Sequence, residues 1–176
     1  QLDKVQPKNK IQLEQLIGYA FKHNIYDLNF IDTSKITNMS NLFVNCEYDI
    51  DVSNWDVSNV TNMYNMFYCC KNFDCDLSNW NVSNVTDMYS MFIACENFKG
   101  KGLENWDVSN VKDIGSMFAG CENFNCDLSN WDMSNVADMG YAFIDCEKFK
   151  GKGLENWNVS NVTNMRRMFD GCNKLT

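Results

Sequence analysis

Histidine and proline are almost missing from this sequence: His23 and Pro7 are the only ones among 176 residues. A lone histidine removes the Ser-His and Cys-His pairings that activate nucleophiles. It also starves a zinc site, because Cys69, Cys70 and Cys75 have no fourth ligand nearby. Glycine is sparse, with nine residues, and none builds a phosphate-binding loop after a strand. Cations are outnumbered, 15 Lys and Arg against 23 Asp and Glu, giving a net charge of -8. A nucleic-acid interface needs clustered cations, so that role is disfavoured. No run of 18 apolar residues occurs, so no membrane insertion is expected in this segment. Residues Gln1 to Lys10 are polar and no initiator Met is present, so no signal peptide is expected here. A leader or lipoprotein anchor removed beforehand stays open. The chain is expected not to be an enzyme and to need no cofactor or metal.

What the sequence has is a period. Trp55, Trp80, Trp106, Trp131 and Trp157 are spaced by 25, 26, 25 and 26 residues, and Ile31 takes the Trp place 24 residues before Trp55. Each copy continues like Asp56-Val57-Ser58-Asn59-Val60-Thr61-Asn62-Met63. Self-similarity at this period marks a repeat architecture. Alternate copies match best. Phe73-Asp74-Cys75-Asp76-Leu77 pairs with Phe124-Asn125-Cys126-Asp127-Leu128, whereas Lys99-Gly100-Lys101-Gly102 pairs with Lys150-Gly151-Lys152-Gly153. The duplication unit is therefore read as two coils.

Within a copy, Trp55 and Val57 alternate with Asp56 and Ser58, which reads as a short strand. Met63, Met66, Phe67, Cys70 and Phe73 fall at offsets of 0, 3, 4, 7 and 10, which reads as one face of a short helix capped by Thr61 or Asn62. One such coil cannot bury its own apolar side; stacked coils bury each other. The expected fold class is α/β repeat, a right-handed leucine-rich-repeat-like solenoid of about six coils. Residues 1–30 are expected to form a capping helix, over 9–23, and a lead-in, with Asn9 and Gln12 as a capping box. The solenoid then covers 31–176, as copies 31–54, 55–79, 80–105, 106–130, 131–156 and 157–176. Three rows should stack in it: Trp55, Trp80, Trp106, Trp131 and Trp157; Phe43, Phe67, Phe92, Phe118, Phe143 and Phe169; and Cys46, Cys70, Cys95, Cys121, Cys146 and Cys172, as free thiols packed like small hydrophobes.

The run Asp-Val-Ser-Asn-Val-Thr-Asn-Met-Tyr-Asn-Met-Phe at 56–67, with Cys70, Phe73 and Asp76-Leu77-Ser78-Asn79-Trp80, resembles the BspA-like leucine-rich-repeat surface proteins. It is most similar to their mycoplasma-type branch, long a domain of unknown function. The opening Asp32-Thr33-Ser34-Lys35-Ile36-Thr37-Asn38-Met39 resembles the first repeat of such proteins. The resemblance spans 31–175 and implies a surface-exposed or secreted, adhesin-like solenoid with no catalytic residues. Unpaired thiols would suit a reducing interior, which keeps the cytoplasm open.

The function expected is a non-enzymatic protein-protein interaction or adhesion module that presents a repetitive surface to a protein partner. One alternative is a small-ligand binder, of Ca²⁺ or carbohydrate, through the acidic columns Asp56, Asp107, Asp132 and Asp87, Asp113, Asp138, or through exposed Tyr64 and Tyr89. Asn at 62, 81, 158 and 164 interrupts both columns, so Asp and Asn read first as turn and cap residues. A second alternative is a filament subunit, with an end-to-end homodimer through an uncapped C-terminal coil. Cys69, beside Cys70, is the candidate reactive thiol. Lys99, Lys101, Lys150 and Lys152 should line one edge as candidate contacts, with Arg166 and Arg167 a further positive spot.

Overall fold

The computed structural model describes residues 3–176. Among them a single α-helix forms, α1 (Lys10–Lys22). Asn9 starts it: its backbone is extended and its side chain accepts the Gln12 N–H at 2.9 Å. The Gln12 side chain answers by accepting the Lys8 N–H at 2.8 Å, one residue earlier than the expected capping box would place it. Leu13, Ile17 and Ala20 form the buried stripe of α1. Ahead of the helix, Val5 pairs with the first coil through a parallel bridge to Ile31. Helix and bridge together cover the apolar side of that coil.

Past α1 the chain winds in coils, each lying against the next. Single-residue parallel bridges link Asn38, Asn62, Asp87, Asp113, Asp138 and Asn164 in order. A further bridge joins Asp27 to Asp51, so the first coil already begins inside the lead-in rather than at Ile31.

The short strand and short helix expected in every coil do not form. The Trp55–Val57 stretch makes no bridge, and residues 63–73 are a succession of turns. The backbone explains why. Amides of Met63, Asn65, Phe67 and Cys69 donate to carbonyls of Asp87, Tyr89, Met91 and Ile93 in the next coil, at 2.8–3.0 Å. The amides between them, of Met66, Tyr68 and Cys70, turn back to carbonyls three residues earlier. A helix would direct all of them along its own axis. Left-handed residues at two positions per coil make the alternation possible, as at Asn65 (φ 54°) and Cys69 (φ 58°). The 0, 3, 4, 7, 10 pattern thus marks an inward face without marking a helix.

Inside the stack, equivalent rings lie over one another. Trp80 to Trp106, Trp106 to Trp131 and Trp131 to Trp157 are separated by 6.2–6.5 Å with planes within 4° of parallel. Phe67 to Phe92 and Phe92 to Phe118 stack at 5.4 and 5.8 Å. A second Phe row, Phe73, Phe98, Phe124 and Phe149, packs on the first, with 4.1 Å between Phe67 and Phe73. Side chains also bond the coils together. Each indole N–H donates to a carbonyl one coil back: Trp55 to Leu28, Trp80 to Val52, Trp106 to Leu77, Trp131 to Leu103 and Trp157 to Leu128. The inward indole donors are thereby paired, and no buried side-chain N or O lacks a partner among the described residues.

The extra residue of alternate coils is absorbed by left-handed glycines. Gly102 (φ 96°) precedes a 3-10 turn, Leu103–Asn105, and Gly153 (φ 96°) precedes its counterpart Leu154–Asn156. A Cβ on Gly102 would lie 2.2 Å from the Ser78 nitrogen, so the backbones touch there.

Candidate functional site

The corners of the coils are built by Asp and Asn. Asp56, Asn81, Asp107, Asp132 and Asn158 each accept the N–H two residues on, closing a turn. The second acidic column does the same, Asp87 for Tyr89, Asp113 for Gly115 and Asp138 for Gly140. Burial raises the Asp113 carboxyl above its ordinary range, and the charges of Asp138 and Asp87 add to that. One oxygen of each of these carboxylates is thus engaged in holding a turn. Among the described residues no group of three or more His, Cys, Asp or Glu converges as metal ligands do. A third column, Asn59, Asn84, Asn110, Asn135 and Asn161, donates to a Ser carbonyl one coil back at 2.6–2.7 Å.

One outward face is more apolar. Tyr64 and Tyr89 stack at 5.5 Å, half-buried rather than exposed as expected, because each ring lies along its neighbour. The Tyr89 ring also lies against Gly115, where a Cβ would come within 2.9 Å of it. Tyr68, Ile93 and Ile144 occupy the next outward position on this face and are likewise half-buried. Arg166 stands 5.9 Å over the Tyr141 ring at the far end.

The lysine edge divides in two. Lys101 and Lys152 pair with Asp76 and Asp127 at 3.2 and 2.8 Å. The Lys152 ammonium, with Ser129, holds the Asp127 carboxyl down to about 2. Lys99, which pairs with Asp74 at 3.1 Å, and Lys150 line a cavity of about 520 Å³ with Asn123, Asn125, Lys148 and Lys174. These last four were not singled out from the sequence. The signal was present: they flank Phe124, Phe149 and Leu175, and residues next to an inward ring must face out.

All nine cysteines are free thiols. In the main row, Cys70, Cys95, Cys121, Cys146 and Cys172 donate to the carbonyls of Phe43, Phe67, Phe92, Phe118 and Phe143 at 2.9–3.0 Å. Burial pushes the Cys46 thiol up to about 11 and raises those of Cys95, Cys121 and Cys146 as well. Cys69 is half-buried, and burial, then Cys70, raises its thiol too, which lowers its thiolate fraction at neutral pH.

At the last coil, Val159, Met165, Phe169 and Leu175 are 36–46% exposed, where their counterparts Val57, Met63, Phe67 and Phe73 are buried. The N–H groups of Met165, Arg167, Phe169 and Gly171, equivalent to those that reach the next coil elsewhere, have no acceptor among the described residues.

Two family-model matches, over residues 11–102 and 94–176, take in nearly the whole of this stack. The chain belongs to the family described as Mycoplasma protein of unknown function, DUF285. No curated protein and no solved structure matches it. Among the described residues no helix is long and apolar enough to cross a membrane.

Proposed function

We propose that the chain is a right-handed leucine-rich-repeat-like solenoid of the BspA-like kind, working as a non-enzymatic interaction or adhesion module for a protein partner. The observation that carries this reading is the contrast between inward and outward columns. Inward positions stay apolar from coil to coil: Val57, Val82, Val108 and Met133 in one row, Met63, Met88, Ile114 and Met139 in another. The position that starts at Ser40 runs through Tyr64, Tyr89, Gly115, Gly140 and Arg166, and is buried at Ser40, Gly115 and Gly140 and more open at the other three. Its neighbour runs through Val44, Tyr68, Ile93, Ala119, Ile144 and Asp170, of which only Ala119 is buried. A scaffold held constant while one face varies suits recognition of one shaped surface. Tyrosine and arginine on that face match the composition of protein interfaces. An extracellular site of action follows the same family resemblance.

The test is a protein and glycan array probed with the intact chain and with a Tyr64→Ser/Tyr89→Ser variant. A protein ligand captured by the first and lost by the second is the expected result. Reproducible silence of the intact chain on both arrays removes the reading.

A further inference from the structure

We propose that the lysine-lined cavity across the last four coils is a binding site for a short polyanion carrying sulfate or phosphate groups. It goes beyond the partner-binding reading, since it lies apart from the tyrosine face and uses none of its residues. The chain carries a net charge of -8, yet no carboxylate lines this cavity. Four ammonium-bearing side chains do, from three coils: Lys99, Lys148, Lys150 and Lys174. They occupy two outward columns on either side of the second Phe row. Earlier in the stack the same columns read Asn72, Asn97 and Asn123 in one and Asp74 in the other. The surface thus turns from neutral or acidic to basic as the coils advance.

The positive charge is largely unspent. Lys99 alone is offset by a carboxylate, Asp74 at 3.1 Å. The Lys148 ammonium donates to the Asn123 amide oxygen at 2.6 Å, which orients it without neutralising it. Lys150 and Lys174 form no ion pair among the described residues. The Lys150 backbone is anchored all the same: its N–H is held by the Asn125 side chain at 3.1 Å, and its carbonyl accepts from Thr176.

Ligand class follows from this chemistry. Lysine is a compact point charge with no preferred plane, so it suits tetrahedral anions at least as well as planar carboxylates. Successive coils are spaced by 5.4–6.4 Å at the adjoining Phe row, so a linear ligand would meet cations at the coils of Lys99, Lys148 and Lys174 and the Asn123 and Asn125 amides at the step between the first two. A cavity of about 520 Å³ holds a few such groups and no more. No aromatic ring lines it, so nucleobases have nothing to stack on.

Isothermal titration calorimetry on the whole chain tests the site, with inorganic tripolyphosphate and a fully sulfated disaccharide as probes and the unsulfated disaccharide beside them. Binding of one or both charged probes is expected, weakening as salt is raised. The tighter of the two identifies the source of the anionic groups. Lys148→Gln/Lys150→Gln should weaken binding by about tenfold, the effect of losing two exposed charge-assisted hydrogen bonds. Lys101→Gln/Lys152→Gln, on the ion-paired side, should leave it within about twofold. These are surface changes, and an unchanged near-UV signal from the Trp row establishes that the variants are folded. No binding of either charged probe up to about 10 mM, weaker than the millimolar edge of specific recognition, overturns the proposal. Equal losses in both lysine pairs, or equal binding of the unsulfated disaccharide, overturn it as well.

Discussion

The indole N–H of Trp106 donates to the carbonyl of Leu77, 29 residues earlier and one coil back, at 3.2 Å, and both groups are buried. A Phe at this place loses the donor together with three ring atoms, while the Leu77 carbonyl keeps the Trp80 N–H at 3.1 Å. Trp106→Phe should therefore cost about 1–3 kcal/mol, from the lost hydrogen bond and the void left in the Trp row. Urea unfolding checks it, with a lower midpoint at unchanged slope. Trp157→Phe should cost less, because that ring is only half-buried.

Alkaline pH should unfold the chain by way of its thiols. Burial raises Cys46 to about 11 and Cys75 and Cys126 to about 12, from an ordinary 9. A group raised in the folded state contributes stability that is complete below its unfolded value and is lost as pH climbs through the folded one. The urea midpoint should hold up to about pH 9 and fall between about pH 9 and 12. A Cys75→Ala/Cys126→Ala variant should show a shallower fall over the same window.

Two glycines predict opposite tolerances. Gly102→Ala places a methyl 2.2 Å from the Ser78 nitrogen at φ 96°, so backbone must move, and about 3 kcal/mol or more should be lost. Gly120→Ala meets nothing nearer than 3.5 Å at φ 71° and should cost only about 1 kcal/mol of left-handed strain. Thermal unfolding of the two variants side by side separates strain from collision.

The reverse change should stabilise. Ala94 occupies, one coil back, the position of Gly120, with φ 57°. Ala94→Gly relieves that strain and should gain about 1 kcal/mol, less the entropy of a more flexible unfolded chain. A rise of a few degrees in Tm is the expected reading.

The sequence made the register legible, because Trp and Phe recur at a fixed spacing and only stacking puts so many large rings out of water together. The local backbone was not legible. Met63, Met66, Phe67 and Cys70 satisfy a helical period, yet their amides alternate between neighbouring coil and own turn, and that choice rests on the left-handed residues at 65 and 69. Asn41, Asn65, Ser90 and Ser116 at the one place, and Asn45, Gly120, Asp145 and Gly171 at the other, carried the hint in residue types that tolerate positive φ. Cys69, Ala94, Tyr141 and Arg167 obscured it. The lysine cavity was half-visible: Lys99 and Lys150 stood out with their glycines, whereas Lys148 and Lys174 became neighbours only once Phe149 and Leu175 were placed inside.

Every bond described between coils joins a coil to its immediate neighbour. The Val5 bridge and α1 tie down the coil that holds Ile31, and each coil after it leans on the ones beside it. A substitution that opens one coil should therefore loosen its two neighbours first and fade with distance along the axis. Amide protons near a Trp106→Phe change would exchange faster, while those near Phe43 would keep their protection.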